Sequence, residues 1–167
     1  MKTVNDPMTV DDLFELYESR GDQSYGESIT QIEHALQCAA LARDVQGEPD
    51  FDLARDDDDH EAIGARLLAP LFGPRVAQPV ALHVTAKRWR CTREPDYHDQ
   101  LSPASRATLI AQGGLLSDEE CRHFEQHPGF EDAVALRTWD DIGKVEGLDV
   151  GSLRSWEPLV RSLAETR

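Results

Sequence analysis

Apolar residues recur along this chain at spacings of three and four, and the alternation of half-buried strands is nearly absent. Thr9 is placed to cap a helix running to about Ser19. Ser28 and Gln31 have the Ser-x-x-Gln spacing of a capping box ahead of Ile32, Leu36, Ala39 and Ala40. Asp58 and Glu61 repeat that logic before Ile63, Leu67, Leu68 and Leu71, and Gly73-Pro74 ends that helix. Pro74 suits the first turn of the next helix, which carries Val76, Val80, His83, Val84 and Lys87. Ser102-Pro103 opens another, stopped by Gly113-Gly114, and Ser117 with Glu120 begins one that Pro128 closes. Phe130 to about Val145 and Ser155 to about Thr166 complete the series. The pattern predicts an all-α bundle of roughly seven helices in a single domain over 1–167. Thr92 to Leu101 reads as a loop, and Asp44 to Asp59 is polar and acidic with little helical period.

Composition narrows the class. The chain has 167 residues, 40% of them hydrophobic, enough for one core, and no apolar run long enough to cross a bilayer. Its N-terminus is too polar for a signal peptide. Cys38, Cys91 and Cys121 are odd in number with no Cys-x-x-Cys spacing, so a reduced, cytoplasmic protein is expected. A net charge of −15 disfavours nucleic acid and anionic membranes. Lys87, Arg88, Arg90, Arg93 and Arg106 nevertheless lie close together. They read either as charge balance on one face or as a small anion site, and the patch is too short for a polynucleotide. Oligomeric state is left open.

Candidate chemistry lies with histidines inside the helical segments. His60 shares a face with Gly64, Leu67, Leu68 and Leu71, and so points at the core. His83 and Lys87 share a face with Val76, Val80 and Val84, and an inward lysine is costly without a partner. Asp140 keeps phase with Ala133, Leu136 and Gly143, while Asp141 keeps phase with Val134, so period does not choose between them. His34 shares its face with Gln31, Gln37, Cys38 and Leu41. A core histidine satisfied by a carbonyl is the ordinary explanation for any one of these, and their coincidence weakens it. Imidazoles with a carboxylate suit iron, zinc or manganese. The spacings are not those of zinc fingers and no His-Glu-x-x-His occurs, but one ligand per helix is how bundles build internal metal sites. His98, His123 and His127 read as solvated, Cys38 and Cys121 as packed thiols, and the Asp56–Asp59 run as a solvated loop.

Tyr25-Gly26-Glu27, Thr30 to Gln37, Asp58-Asp59-His60-Glu61, Leu82 to Arg88, Leu101 to Ser105, Gln112-Gly113-Gly114 and Trp139 to Lys144 together resemble the HD-domain oxygenases of the PhnZ type. The resemblance covers about Ser24 to Val150. It implies an all-helical HD fold with a mixed-valent diiron centre (Fe2+/Fe3+) and dioxygen as co-substrate. Members oxidise a 1-hydroxy-2-aminoalkylphosphonate, an organophosphonate, releasing phosphate and, from the aminoethyl substrate, glycine. By resemblance His34, His60, His83 and Asp140 would be metal ligands and Lys87 and Ser105 would hold the phosphonate. Tyr25 and Glu27 look like the gate and the ammonium contact.

One departure stands out. The family carries an adjacent His-Asp pair between the helices of His34 and His60, the aspartate bridging both metals, and this chain has no His-Asp pair anywhere. Asp44 to Asp52 runs in its place. The expectation is a missing segment of about twenty residues near 44–56, an ordinary helix with its turns, and a break in the chain near Asp50–Phe51. The alternatives are a metal-dependent HD phosphohydrolase and a degenerate HD-domain binding protein.

Overall fold

The computed structural model describes residues 8–25, 28–46 and 60–166. Among them lie nine α-helices and no strand: α1 (Val10–Arg20), α2 (Gln31–Gln46), α3 (His60–Phe72), α4 (Pro74–Arg93), α5 (Tyr97–Gln100), α6 (Pro103–Ala111), α7 (Asp118–Glu125), α8 (Phe130–Ile142) and α9 (Glu157–Glu165). A 3-10 turn, Leu153–Trp156, leads into α9. The all-α class stands, with more helices than the rough seven. The surplus includes α5, a single turn inside the stretch expected to be a loop. The break expected near Asp50–Phe51, and the Asp58 cap, fall outside the described residues.

Several boundaries follow from the caps. Thr9 and Asp12 exchange side-chain-to-backbone bonds at the start of α1, and Ser117 and Glu120 do the same at α7. Ser102 accepts from the N–H of Ser105 ahead of α6. The expected Ser28–Gln31 box is not the one formed. Thr30 and Glu33 make it instead: the Glu33 carboxylate accepts from the Thr30 N–H at 2.8 Å and the Thr30 hydroxyl from the Glu33 N–H at 3.3 Å. A carboxylate is the stronger acceptor beside a helix N-terminus, so Thr-x-x-Glu prevails over Ser-x-x-Gln. The N–H groups of Gln31 and Ile32 are bound by the carbonyls of Gln23 and Gly21, which ties the start of α2 to the exit of α1. That approach needs Gly21, where a Cβ would lie 2.8 Å from the Cβ of Ile32.

Helix α4 is the centre of the bundle and packs most extensively against α3 and α8. Gly73, at φ 75°, turns the chain between α3 and α4, and Pro74 starts α4 without a wasted donor. Leu13, Phe14, Leu36, Leu68, Val80, Leu136, Trp139 and Val160 form the main core with residues from α1, α2, α3, α4, α8 and α9. Helix α8 stops at Ile142, three residues short of the expected Val145. Its cap, Gly143, donates to Trp139 O at 2.7 Å and lies so close to α2 that a Cβ there would stand 2.9 Å from Cys38 Sγ.

Candidate metal and anion site

The close contact of α2 with the end of α8 builds one half of the site. His34 on α2 is 1% exposed, and its Nδ1 lies 2.7 Å from the carbonyl oxygen of Gly143. A carbonyl only accepts, so Nδ1 carries the proton and Nε2 of a neutral ring presents its lone pair. Facing that lone pair at 3.0 Å is Oδ1 of Asp140. Two acceptors this close need a positive charge between them, either a second proton on the imidazole or a metal cation. The donor chemistry therefore fits a metal. A second-sphere carbonyl on Nδ1 is also the usual way a ligating histidine is oriented.

His83 on α4 has the same arrangement: it is buried, and its Nδ1 donates to Val80 O at 2.7 Å. The tautomer again leaves the lone pair on Nε2. Helix α4 packs against α8, which carries Asp140. Among the described residues no three His, Cys, Asp or Glu side chains stand close enough to share an ion. His34 and Asp140 are thus brought together. The side chain of His60 and all of Glu27 lie outside the described residues.

Tyr25 covers the His34–Asp140 pair. Its ring stacks on the imidazole at 3.9 Å between centroids and its hydroxyl donates to Asp140 Oδ1 at 3.0 Å. Lys144 Nζ lies 5.3 Å from the same ring. On the other side Asp140 Oδ2 accepts from Arg137 at 2.6 Å. Burial acts to raise the Asp140 carboxyl, but the Arg137 guanidinium and the His34 bond outweigh it and hold it well below the usual range. Structure thus resolves what period left open: Asp140 is buried and faces His34, while Asp141 is bound away by Arg137, Arg90 and Tyr97. The Tyr97 hydroxyl accepts from Arg137 Nε at 2.9 Å and donates to Asp141 Oδ2 at 2.5 Å.

Lys87, one turn past His83, is only 3% exposed. Its ammonium donates to Thr108 Oγ1 at 2.6 Å and Gln112 Oε1 at 3.1 Å, and Thr108 in turn donates to the carbonyl of Ser105. Burial, then the positive charge of Arg137, push its pKa down to about 8. Ser105 sits in the first turn of α6, with its N–H on the Ser102 cap. Three of the other four cations of the basic stretch are occupied structurally, and the fourth, Arg106, is exposed. Arg88 binds the carbonyls of Gly113 and Gly114, Arg90 pairs with Glu94 and Asp141, and Arg93 pairs with Asp118 and Glu125. Charge balance accounts for Arg90 and Arg93 and backbone carbonyls hold Arg88, so the anion-site reading rests on Lys87.

Sequence reasoning missed Arg137, Tyr97 and Thr108. Arg137 had a readable signal, since it lies three and four residues before Asp140 and Asp141 on one helix. Tyr97 lay in a segment read as loop, and Thr108 gave no signal.

The described residues thus form an all-helical bundle that buries a histidine–carboxylate pair and an inward lysine. No family model matches the chain. It is 42% identical to a hydroxymethylphosphonate dioxygenase of Gimesia maris, over 93% of this chain and 88% of that protein. It is 31% identical to the glycine-betaine-forming 1-hydroxy-2-(trimethylamino)ethylphosphonate dioxygenase of Leisingera caerulea, over 90% and 87%. An uncharacterised protein of Acanthamoeba polyphaga mimivirus is 34% identical over 81% and 73%. The chain belongs to this family of phosphonate dioxygenases.

The first alignment runs over 178 positions, more than the 167 residues of the chain, yet covers 93% of it, about 155 residues. The other two show the same excess, 172 positions for about 150 residues and 159 for about 135. Each alignment therefore sets some twenty positions of the relative against gaps in this chain. Among the described residues no helix is long and apolar enough to cross a membrane.

Proposed function

We propose that this chain is an iron-dependent oxygenase that cleaves the carbon–phosphorus bond of a 1-hydroxyalkylphosphonate and releases phosphate. The observation that carries the reading is the 42% identity to a hydroxymethylphosphonate dioxygenase along nearly the whole chain. The buried Lys87, bound to Thr108 and Gln112, supports it as a place for a phosphonate oxygen. Atom balance defines the reaction. A 1-hydroxyalkylphosphonate and dioxygen give a carboxylate and phosphate, one oxygen atom of dioxygen entering each product, with dioxygen as the oxidant.

In this reading His34, His60, His83 and Asp140 hold iron, which when bound supplies a Lewis-acid anchor for substrate oxygens and the electrons that activate dioxygen. Lys87 and Ser105 bind the phosphonate, with Thr108 and Gln112 fixing the lysine. Arg137 keeps Asp140 ionised and oriented. Tyr25 acts as a gate, because its ring and hydroxyl occupy the open face of the His34–Asp140 pair and must swing aside for substrate. Glu27 serves any substrate that carries an ammonium group, as in the 2-amino compounds. The three buried free thiols suit a reducing cytoplasm.

The test is phosphate release from hydroxymethylphosphonate, 1-hydroxy-2-aminoethylphosphonate and its trimethylamino analogue, each with ferrous iron, with and without dioxygen. Release from at least one substrate, with dioxygen alone, is expected. Release from a phosphate ester under anaerobic conditions, with none from the phosphonates, would assign the chain to phosphohydrolases instead.

A further inference from the structure

We propose that Lys144 is a positioning residue for the Tyr25 gate, its ammonium holding the Tyr25 ring over the His34–Asp140 pair until substrate enters. The inference deepens the oxygenase reading, in which Tyr25 is that gate, and rests on it. Lys144 is half-buried, and its Nζ lies 5.3 Å from the centre of the Tyr25 ring, within the range at which a cation is drawn to an aromatic ring. The same ring stacks on His34 at 3.9 Å between centroids, and its hydroxyl donates to Asp140 Oδ1 at 3.0 Å. Stack, hydrogen bond and cation thus meet on one side chain.

Lys144 is placed there by its two neighbours. On one side Gly143 donates to Trp139 O at 2.7 Å, and its carbonyl accepts from His34 Nδ1. On the other, Gln37 grips Val145: the side-chain amide donates to Val145 O at 2.8 Å and accepts from the Val145 N–H at 2.9 Å. His34 and Gln37 lie one turn apart on α2, and each is 1% exposed. Together they staple the backbone on both sides of Lys144 to α2, which fixes where its side chain begins. Gln37 has no part in the proposed chemistry, and this paired bond is what its buried amide does. Tyr25 is anchored at its own backbone, where its N–H donates to Ile29 O at 3.1 Å beside the Ser24–Thr30 bridge. Opening the gate is then a rotation of the Tyr25 side chain, and it gives up the stack, the hydroxyl bond and the ammonium contact. A phosphonate offers an ammonium a stronger partner than a ring does, so an anion arriving at the gate favours its release.

The chain has three tyrosines, Tyr17, Tyr25 and Tyr97, so the full chain grown on fluorotyrosine gives three fluorine resonances, and Tyr25→Phe identifies that of Tyr25. Lys144→Met, which keeps the length of the side chain, should move the Tyr25 resonance and raise its solvent isotope shift, a measure of the ring's contact with water. The other two should stay in place, and Lys144→Arg, which keeps a cation, should restore the wild-type signal. A second measurement is anaerobic equilibrium binding of hydroxymethylphosphonate to the ferrous-loaded wild type, Lys144→Met, Tyr25→Leu and the double variant. Loss of the cation should harm affinity about two- to fivefold less with Tyr25 in place than with leucine, because only then does it also free the gate. A Tyr25 resonance indifferent to Lys144→Met, or binding effects that simply multiply, would overturn the inference. The fluorine measurement needs no substrate, so it decides the inference even if the wild type binds none. Phosphate release is measured separately. A Tyr25 that responds to Lys144 in a chain releasing no phosphate keeps this inference and removes the oxygenase reading, whereas phosphate release with an indifferent Tyr25 does the reverse.

Discussion

Replacing Lys87 with methionine should make the ligand-free protein more stable at neutral pH. The lysine is buried with two neutral partners, and its pKa falls from 10.5 to about 8. A depression of that size corresponds to about 3 kcal/mol of unfavourable free energy for the charged form. The sign follows from proton linkage. Between pH 8 and 10.5 the unfolded chain binds the proton more than the folded one, so wild-type stability rises with pH through that window. Below pH 8 the whole cost is present. Methionine fills similar volume without charge, and Thr108, which is exposed, can turn its hydroxyl to water. Loss of the Gln112 bond returns about 1 kcal/mol. Lys87→Met should therefore gain about 1–3 kcal/mol at pH 7 in urea unfolding, an advantage that shrinks by pH 10. Inorganic phosphate should stabilise the wild type and not the variant, by mass action. A variant less stable than wild type at pH 7, or a gap that does not narrow with pH, would refute the reasoning.

Arg137→Gln leaves Asp140 and Asp141 without their buried guanidinium and should cost about 3–5 kcal/mol by urea unfolding. Because Asp140 titrates well below its unfolded value, its stabilisation is present above the ordinary carboxylate range and is lost as pH falls through the folded value. In Arg137→Gln that acid loss should begin at a higher pH, as an unfolding series from pH 7 to 3 will show. Gly143→Ala pushes a Cβ to within 2.9 Å of Cys38 Sγ and Trp139 O. It should destabilise by about 1–3 kcal/mol and weaken iron retention, with Cys38→Ala restoring part of both. Ser117→Ala removes the α7 capping box and should cost about 1 kcal/mol in thermal or urea unfolding. Phosphate release per folded molecule should not change.

Much of the fold was legible because it is written in local signals. Gly73-Pro74, Ser102-Pro103 and Ser117 with Glu120 act within one turn, and each sits at an observed boundary. Where local signals competed, as Ser28 against Thr30, the winner was set by acceptor strength. Inward placement of His83 and Lys87 followed from the period of α4. The choice of Asp140 over Asp141 did not, because it depends on an arginine and a tyrosine that arrive from one turn back and from another helix. His34 was ambiguous for a related reason. Its face is mostly polar, and what buries it is the close approach of Gly143 from the far end of the sequence.

That approach has a consequence for how the site can change. The last turn of α8 supplies a carboxylate at Asp140 and, three residues on, the carbonyl of Gly143 that fixes the imidazole facing it. Both come from the end of a helix where unpaired carbonyls concentrate negative potential. The spacing of these two groups therefore matters to the site as well as their identity. A one-residue insertion between Asp140 and Gly143 would keep every proposed ligand in the sequence and still release His34 from its orientation. A sequence survey scoring the proposed ligand residues alone would count such a protein as intact.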